Sequence, residues 1–248
     1  MSERRVVIVT GGARGLGRAY ALGLAREGYA VAVADRAAAG EVAAEIESAG
    51  GDALAVEVDV GELASTESMA EQVVARWGRI DVLVNNAAYF MQIVKKPFEE
   101  LTVAEWDLAF GVNVRGTWLC CRAVAPFMKA QRAGKIVNTS SMTVPSGIPG
   151  FLHYVASKSA IVGLTRALAR EVGEWGISVN TISPDYVPHD PEYAARQPEM
   201  AAVLAQQRAF KRDPVPEDLV GTILYLAGPA SDFVTGQDFW VNGGRLFH

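Results

Sequence analysis

Tyr154 and Lys158 stand four residues apart in Tyr154-Val155-Ala156-Ser157-Lys158, inside a run with helical apolar spacing. Residues i and i+4 share a helix face, so an ammonium can sit beside a phenol. A free tyrosine, with a pKa of about 10, is a poor base at neutral pH. A neighbouring cation favours its phenolate and brings it into range for general acid–base work. Such a pair also arises by chance, so its meaning depends on what surrounds it.

The start of the chain carries a second chemistry. An apolar β-branched run, residues 6–9, leads into Thr10-Gly11-Gly12-Ala13-Arg14-Gly15-Leu16-Gly17 and then a helical pattern. Glycines here let the backbone turn sharply and approach a pyrophosphate, which the free N–H groups of a helix N-terminus can bind. Gly11, Arg14, Gly15, Leu16 and Gly17 are therefore candidate dinucleotide ligands, although the spacing is not the strict G-x-G-x-x-G and glycine also ends strands for structural reasons. Asp35 follows Gly17 by 18 residues at the end of the next strand pattern, where an acid accepts hydrogen bonds from the adenosine ribose. Its carboxylate repels a 2′-phosphate, which argues for NAD. Arg14 and Arg36 pull toward NADP, since either can pair with a phosphate. The expectation is NAD, with NADP as a minor alternative.

These groups need a scaffold. Short β-branched runs at residues 6–9, 30–34, 54–58, 82–84, 136–138, 179–182 and 238–241 alternate with helical patterns, including 16–27, 37–49 and 217–226. Apolar strands separated by helices predict one α/β domain over residues 1–248, a doubly wound parallel sheet of about seven strands with helices on both faces. Residues 185–215 break the pattern of short connections and read as a substrate lid, or as a plain surface excursion. The 23 basic and 28 acidic side chains give a net charge of −5, which offers no electrostatic case for nucleic acid or an anionic membrane. No apolar run is long enough to span a bilayer or to serve as a secretory segment. The two cysteines, Cys120 and Cys121, are adjacent and suggest neither a disulfide framework nor a zinc site. A cytoplasmic protein without a metal is expected.

Taken in order, the motifs resemble those of the short-chain dehydrogenase/reductase family, and the resemblance runs over essentially the whole chain. The family's T-G-x-x-x-G-x-G matches residues 10–17. Its N-N-A-G corresponds to Asn85-Asn86-Ala87-Ala88, with Ala in place of Gly. Its N-V is Asn113-Val114, its serine 13 residues before the tyrosine is Ser141, and its Y-x-x-x-K is Tyr154 to Lys158. The resemblance implies hydride transfer between a nicotinamide and an alcohol or ketone carbon. Tyr154 would exchange the hydroxyl proton, and Ser141 would hydrogen-bond the substrate oxygen. Lys158 would hold the nicotinamide ribose and support the phenolate, an effect to which an oxidised nicotinamide would add. Asn113 would position a water that relays the proton to solvent. Asp59, Val60, Asn86, Ala87, Ala88, Pro184 and Val187 complete the expected cofactor contacts. One segment departs from the family: P-G-x-V-x-T is here Pro184-Asp185-Tyr186-Val187-Pro188-His189. Either residue could face the substrate; alternatively Asp185 caps the next turn and His189 lies exposed.

The expected substrate wall comprises Phe90, Met142, Val144, Phe151, Tyr186 and His189, an apolar rim suited to a small secondary alcohol on a ring or short chain. A reductase of acyl-carrier-protein-linked 3-oxo substrates and a sugar or polyol dehydrogenase are the alternatives, with a non-catalytic nicotinamide sensor behind them. Arg196, Arg208, Lys211 and Arg212 could attract an anion, but read first as a solvated basic face. The resemblance also implies a homotetramer; Trp106, Phe110, Trp118 and Leu119 would then cover neighbouring subunits, or instead simply face the sheet.

Overall fold

The computed structural model describes residues 4–188 and 198–248. Seven strands form a single sheet: β1 (Val6–Thr10), β2 (Ala30–Asp35), β3 (Asp52–Glu57), β4 (Val82–Asn85), β5 (Gly134–Thr139), β6 (Ile177–Pro184) and β7 (Asp238–Val241). The helices are α1 (Gly15–Arg26), α2 (Ala39–Ser48), α3 (Leu63–Trp77), α4 (Val103–Phe110), α5 (Thr117–Gln131), the single turn α6 (Thr143–Ser146), α7 (Leu152–Val172), α8 (Pro198–Gln207) and α9 (Glu217–Ala227).

Alternation along β1 explains the two layers. Val6 and Ile8 pack into one core with Met69, Val73, Cys120, Val124 and Met128 from α3 and α5. Val7 and Val9 pack into the other with Tyr20, Leu24, Val42, Ile46 and Ile223 from α1, α2 and α9. A strand covered on both faces is largely apolar, which is why β1 and β2 read as continuous runs; β5 and β6 also bury Asn138, Asn180 and Thr181, each with a hydrogen-bond partner. All pairings are parallel, in the order β3-β2-β1-β4-β5-β6-β7. The order reverses between β1 and β4, so a crevice opens there at the carboxyl ends of the strands.

Several boundaries differ from the sequence reading for local reasons. α2 begins two residues later than the pattern, because Ala38 before it adopts a left-handed φ of 58°. Between α4 and α5 the chain widens into a π turn, Gly111–Gly116, which carries Asn113. The segment 185–215 contains helix α8 rather than irregular chain alone, and residues 189–197, with His189 and Arg196, lie outside the described residues. Cys120 and Cys121 are buried and unbridged, and burial pushes both thiols up, Cys121 to about 12. Among the described residues no helix is long and apolar enough to cross a membrane, and no cluster of three metal-ligating side chains occurs.

Candidate active site

The crevice holds a cleft of about 460 Å³. At one end β1 turns into α1. Gly11, at φ +63°, lies so close to the start of the β4 loop that a Cβ would press on the Ala87 backbone. A Cβ on Gly17 would collide with the Gly11 carbonyl oxygen. Asn86 braces this turn, its Nδ2 donating to the carbonyls of Thr10 and Gly11, both at 3.1 Å. Thr10 Oγ1 completes the tie, accepting the N–H groups of Asn86 and Ala87 at 3.1 and 3.2 Å. No side chain caps the N-terminus of α1, so its first N–H groups stay available to an anion. Gly11, Arg14 and Leu16 line the cleft, whereas Gly15 and Gly17 shape the loop from behind.

Asp35 marks the far lip of that end. Its Oδ2 accepts the Ala13 N–H at 3.1 Å and its Oδ1 the Ala37 N–H at 3.4 Å. Arg36 also lines the cleft, 3.8 Å from the Asp59 carboxylate, with both side chains largely exposed. Asp59, whose Oδ1 accepts the Gly61 N–H at 2.9 Å, and Val60 line the cleft beside them. Asn86, Ala87 and Ala88 form the wall between the two ends.

The opposite end gathers the reacting groups. Helix α7 buries Tyr154 and Lys158 on one face, with the Lys158 Nζ 5.8 Å from the centre of the Tyr154 ring. The ring is held by Phe90 at 5.1 Å and, edge-on, by Phe151 at 5.8 Å between centres. Lys158 Nζ donates to the Thr139 carbonyl at 2.8 Å. The two serines after β5 are set differently. Ser140 Oγ donates to the Lys158 carbonyl at 2.9 Å and so fastens α7 to the sheet. Ser141 Oγ accepts the Thr143 N–H at 3.1 Å and pairs with Thr143 Oγ1 at 3.0 Å. The hydroxyl pair with Thr143 can form in either direction, and when Thr143 is the donor the Ser141 proton is left for a ligand in the cleft, which Ser141 lines.

Burial pushes the Lys158 ammonium down from 10.5 to about 8. Its charged form therefore costs more in the folded chain than in the unfolded one. Below pH 8 both states are protonated and the fold bears the full cost. As pH rises from 8 toward 10.5 only the unfolded chain keeps the proton, and the cost fades. The stability difference between the parent and Lys158→Met should therefore move by about 3 kcal/mol in the parent's favour between pH 7 and pH 10.5, as read by urea unfolding. An unchanged difference would show that water reaches the ammonium.

Asn113 does not line the cleft. Its Oδ1 accepts the Tyr89 N–H at 2.7 Å, and its Nδ2 donates to the Tyr89 carbonyl at 3.3 Å and to Ser157 Oγ at 2.9 Å. The side chain expected to position a water is thus engaged in joining the π turn to α7 and to the loop after β4. Met142, Phe151, Tyr186, Pro184 and Val187 line the cleft as expected; Val144 does not, because the α6 turn presents Thr143 instead. Arg208 overturns its reading as a solvated residue: its side chain is 2% exposed. Asp185 does not cap the next turn, since Arg208 and Arg245 both bind its carboxylate. Lys211 and Arg212 do not line the cleft, and Arg212 pairs with Asp218 at 2.6 Å. Arg245, Lys95, Thr139 and Leu204 line it too. No motif marks these four, and only the folded chain brings them together.

Comparison with known proteins agrees with this geometry. A family model described as enoyl-(acyl carrier protein) reductase matches residues 11–245. The 3-oxoacyl-acyl-carrier-protein reductase FabG of Staphylococcus aureus is 35% identical over 98% of this chain and 99% of its own. A Thauera aromatica protein, the hydroxy(phenyl)methyl-succinyl-CoA dehydrogenase subunit BbsD, is 36% identical over 98% of this chain and 97% of its own. Among solved structures, a Beutenbergia cavernae protein provisionally named an NAD(P)-dependent gluconate 5-dehydrogenase, with NADP bound at low occupancy, superposes with a TM-score of 0.90. It is 39% identical, over 97% of this chain and 96% of its own. A Sinorhizobium meliloti protein provisionally named a short-chain alcohol dehydrogenase gives the same TM-score of 0.90 at 32% identity, over 97% of this chain and 96% of its own.

Proposed function

We propose that this chain, which belongs to the short-chain dehydrogenase/reductase family, is an oxidoreductase that interconverts a secondary hydroxyl and its ketone with a nicotinamide dinucleotide. The observation that carries the reading is the meeting of Tyr154, Lys158 and the Ser141 hydroxyl at the cleft end away from the glycine turn.

The residues fit the cofactor. The uncapped N-terminus of α1 and the close Gly11 turn suit a pyrophosphate, and the Asp35 carboxylate at the lip suits a ribose diol. Gly11, Arg14 and Leu16 would contact it there, with Asp59 and Val60 beside the adenosine and Asn86, Ala87, Ala88, Pro184 and Val187 along the wall. When bound, the nicotinamide supplies the hydride acceptor or donor. Tyr154 takes the hydroxyl proton during oxidation and returns it during reduction. Ser141 donates its hydrogen bond to the substrate oxygen as charge develops there. Lys158 places a positive charge against the Tyr154 ring and can hold a ribose hydroxyl, while Asn113 keeps α7 and the Tyr89 backbone in register.

Asp35 favours NAD over NADP in this reading, although one structural neighbour carries NADP. Asp35→Asn keeps an acceptor for the Ala13 N–H and removes the charge. The ratio of kcat/KM with NADP to that with NAD should rise by about tenfold or more, since like charges placed together cost several kcal/mol. A ratio unchanged in side-by-side assays would assign cofactor choice to other residues.

For the substrate, the named relatives support the alternatives, an oxoacyl thioester or a polyol acid, more than a plain ring or short-chain alcohol. The test is a panel of 3-oxoacyl thioesters, oxo acids, sugar acids and simple cyclic alcohols, followed at the absorbance of the reduced cofactor. Turnover confined to the simple alcohols would reverse that preference, and none in any class would refute the function. The segment 185–215 serves in this reading as the substrate lid. Exposed Val103, Trp106 and Trp118 on α4 and α5 support an assembly of subunits, a homotetramer by family resemblance, while Leu119 turns inward.

A further inference from the structure

Asp185 stands where the family pattern has glycine, and its side chain is 2% exposed. Its Oδ2 accepts Arg208 Nε at 2.8 Å and its Oδ1 accepts Arg245 Nε at 3.0 Å. The two guanidiniums differ in what remains to them. Arg208 Nη1 donates to Asp213 Oδ1 at 2.8 Å and to the Arg212 carbonyl at 3.2 Å, and Nη2 donates to the Tyr186 carbonyl at 3.2 Å. Every nitrogen of Arg208 is engaged, and the residue stays outside the cleft wall. Arg245 Nη2 donates to Ser146 Oγ at 2.9 Å. Its Nη1 donates to no described residue, and Arg245 lines the cleft.

The location matters. Ser146 closes the single turn α6, which begins two residues after Ser141, so Arg245 is fastened to the segment that carries the proposed substrate-oxygen donor. Among the described residues the cations lining this half of the cleft are Lys95, Lys158 and Arg245, and the only lining acid is Asp185, with both oxygens taken. A buried ion cluster is weak support for stability, because apolar side chains of similar volume often serve as well. A guanidinium oriented by a buried carboxylate, with one nitrogen unspent at a cleft wall, is suited to a planar anion.

We infer that Arg245 is the specificity-determining residue of this site and binds a carboxylate of the substrate, with Asp185 as its positioning residue. The substrate class is then an oxo acid and its hydroxy acid. The inference rests on the function proposed above and narrows it.

The test uses matched probes, acetoacetate against methyl acetoacetate and levulinate against methyl levulinate, with reduced cofactor. The parent should favour the acid of the better pair by about 10- to 100-fold in kcat/KM, the range expected for a charge-assisted hydrogen bond. Arg245→Gln should erase that preference by raising KM for the acid, leaving the ester within about threefold. Arg245→Lys should restore part of it. An ester reduced as well as its acid by the parent overturns the inference and leaves the oxidoreductase reading intact, as does an equal loss for both probes in Arg245→Gln. If no carbonyl compound turns over, the function itself fails. Calorimetric titration of acetoacetate into the cofactor-loaded parent and Arg245→Gln then decides the anion site, which needs at least tenfold weaker binding in the variant.

Discussion

Tyr154→Phe should lower kcat by about 10²- to 10⁴-fold, the usual contribution of a positioned general acid–base group. The substitution removes one hydroxyl from a ring held by Phe90 and Phe151, so the aromatic contacts and the cleft shape persist. Cofactor affinity should stay within a few-fold of the parent, because the glycine turn and Asp35 lie at the other end of the cleft. Nucleotide binding can be read by calorimetry and turnover by single-turnover kinetics with the same preparation. A variant retaining a tenth or more of parental kcat would remove Tyr154 from the chemistry and leave the proton transfer without an agent among the described residues of the cleft.

Asp185→Ala should be the most destabilising of the changes considered. It leaves two guanidiniums, at 2% and 6% exposure, without the carboxylate that joins them. Removing one partner from a buried ion pair costs about 3–5 kcal/mol, because the surviving charge cannot recover its hydration. For a chain of this size that corresponds to a fall in Tm of roughly 6–20 °C. Asp185→Gly, which restores the residue usual in the family, should be as damaging, since the harm lies in a lost carboxylate, which leaves Arg245 unpaired and Arg208 with Asp213 alone, rather than in the backbone. Removing all three charges together, Asp185→Ala with Arg208→Met and Arg245→Met, should recover much of the loss. A decrease below about 2 °C for the single change would indicate that water or Asp213 compensates.

These two predictions rest on residues of very different legibility. Tyr154 and Lys158 are readable because helix geometry fixes what four residues of separation means, and the glycine turn because strand, turn and helix are contiguous in the chain. The sheet was legible for a related reason: strands buried on both faces read as apolar runs, unbroken over residues 6–9 of β1, while β6 shows a weaker signal because it also buries Ser178, Asn180, Thr181 and Ser183. Arg208 was not legible. Its partner Asp185 is 23 residues away and Arg245 a further 37 along, and nothing local distinguishes an arginine destined for burial from one in water. The π turn around Asn113 escaped for another reason, since one extra residue in a helical turn leaves the apolar pattern almost unchanged. Val144 belongs to the substrate wall by sequence position, but the one-turn helix α6 brings Met142 and Thr143 to the cleft and leaves Val144 off it. Local rules therefore recovered the elements and the reacting pair, and tertiary pairing decided the substrate wall.

The most direct measurement follows the hydrogen itself. An alcohol that the panel identifies, carrying deuterium on its carbinol carbon, is oxidised by the parent protein with the oxidised cofactor, and the reduced cofactor is recovered for mass analysis. Transfer to the nicotinamide predicts one deuterium per turnover on the recovered cofactor, together with a slower single-turnover rate than for the protium substrate. Deuterium released into water with an unlabelled cofactor would contradict hydride transfer, and with it the role assigned to this cleft.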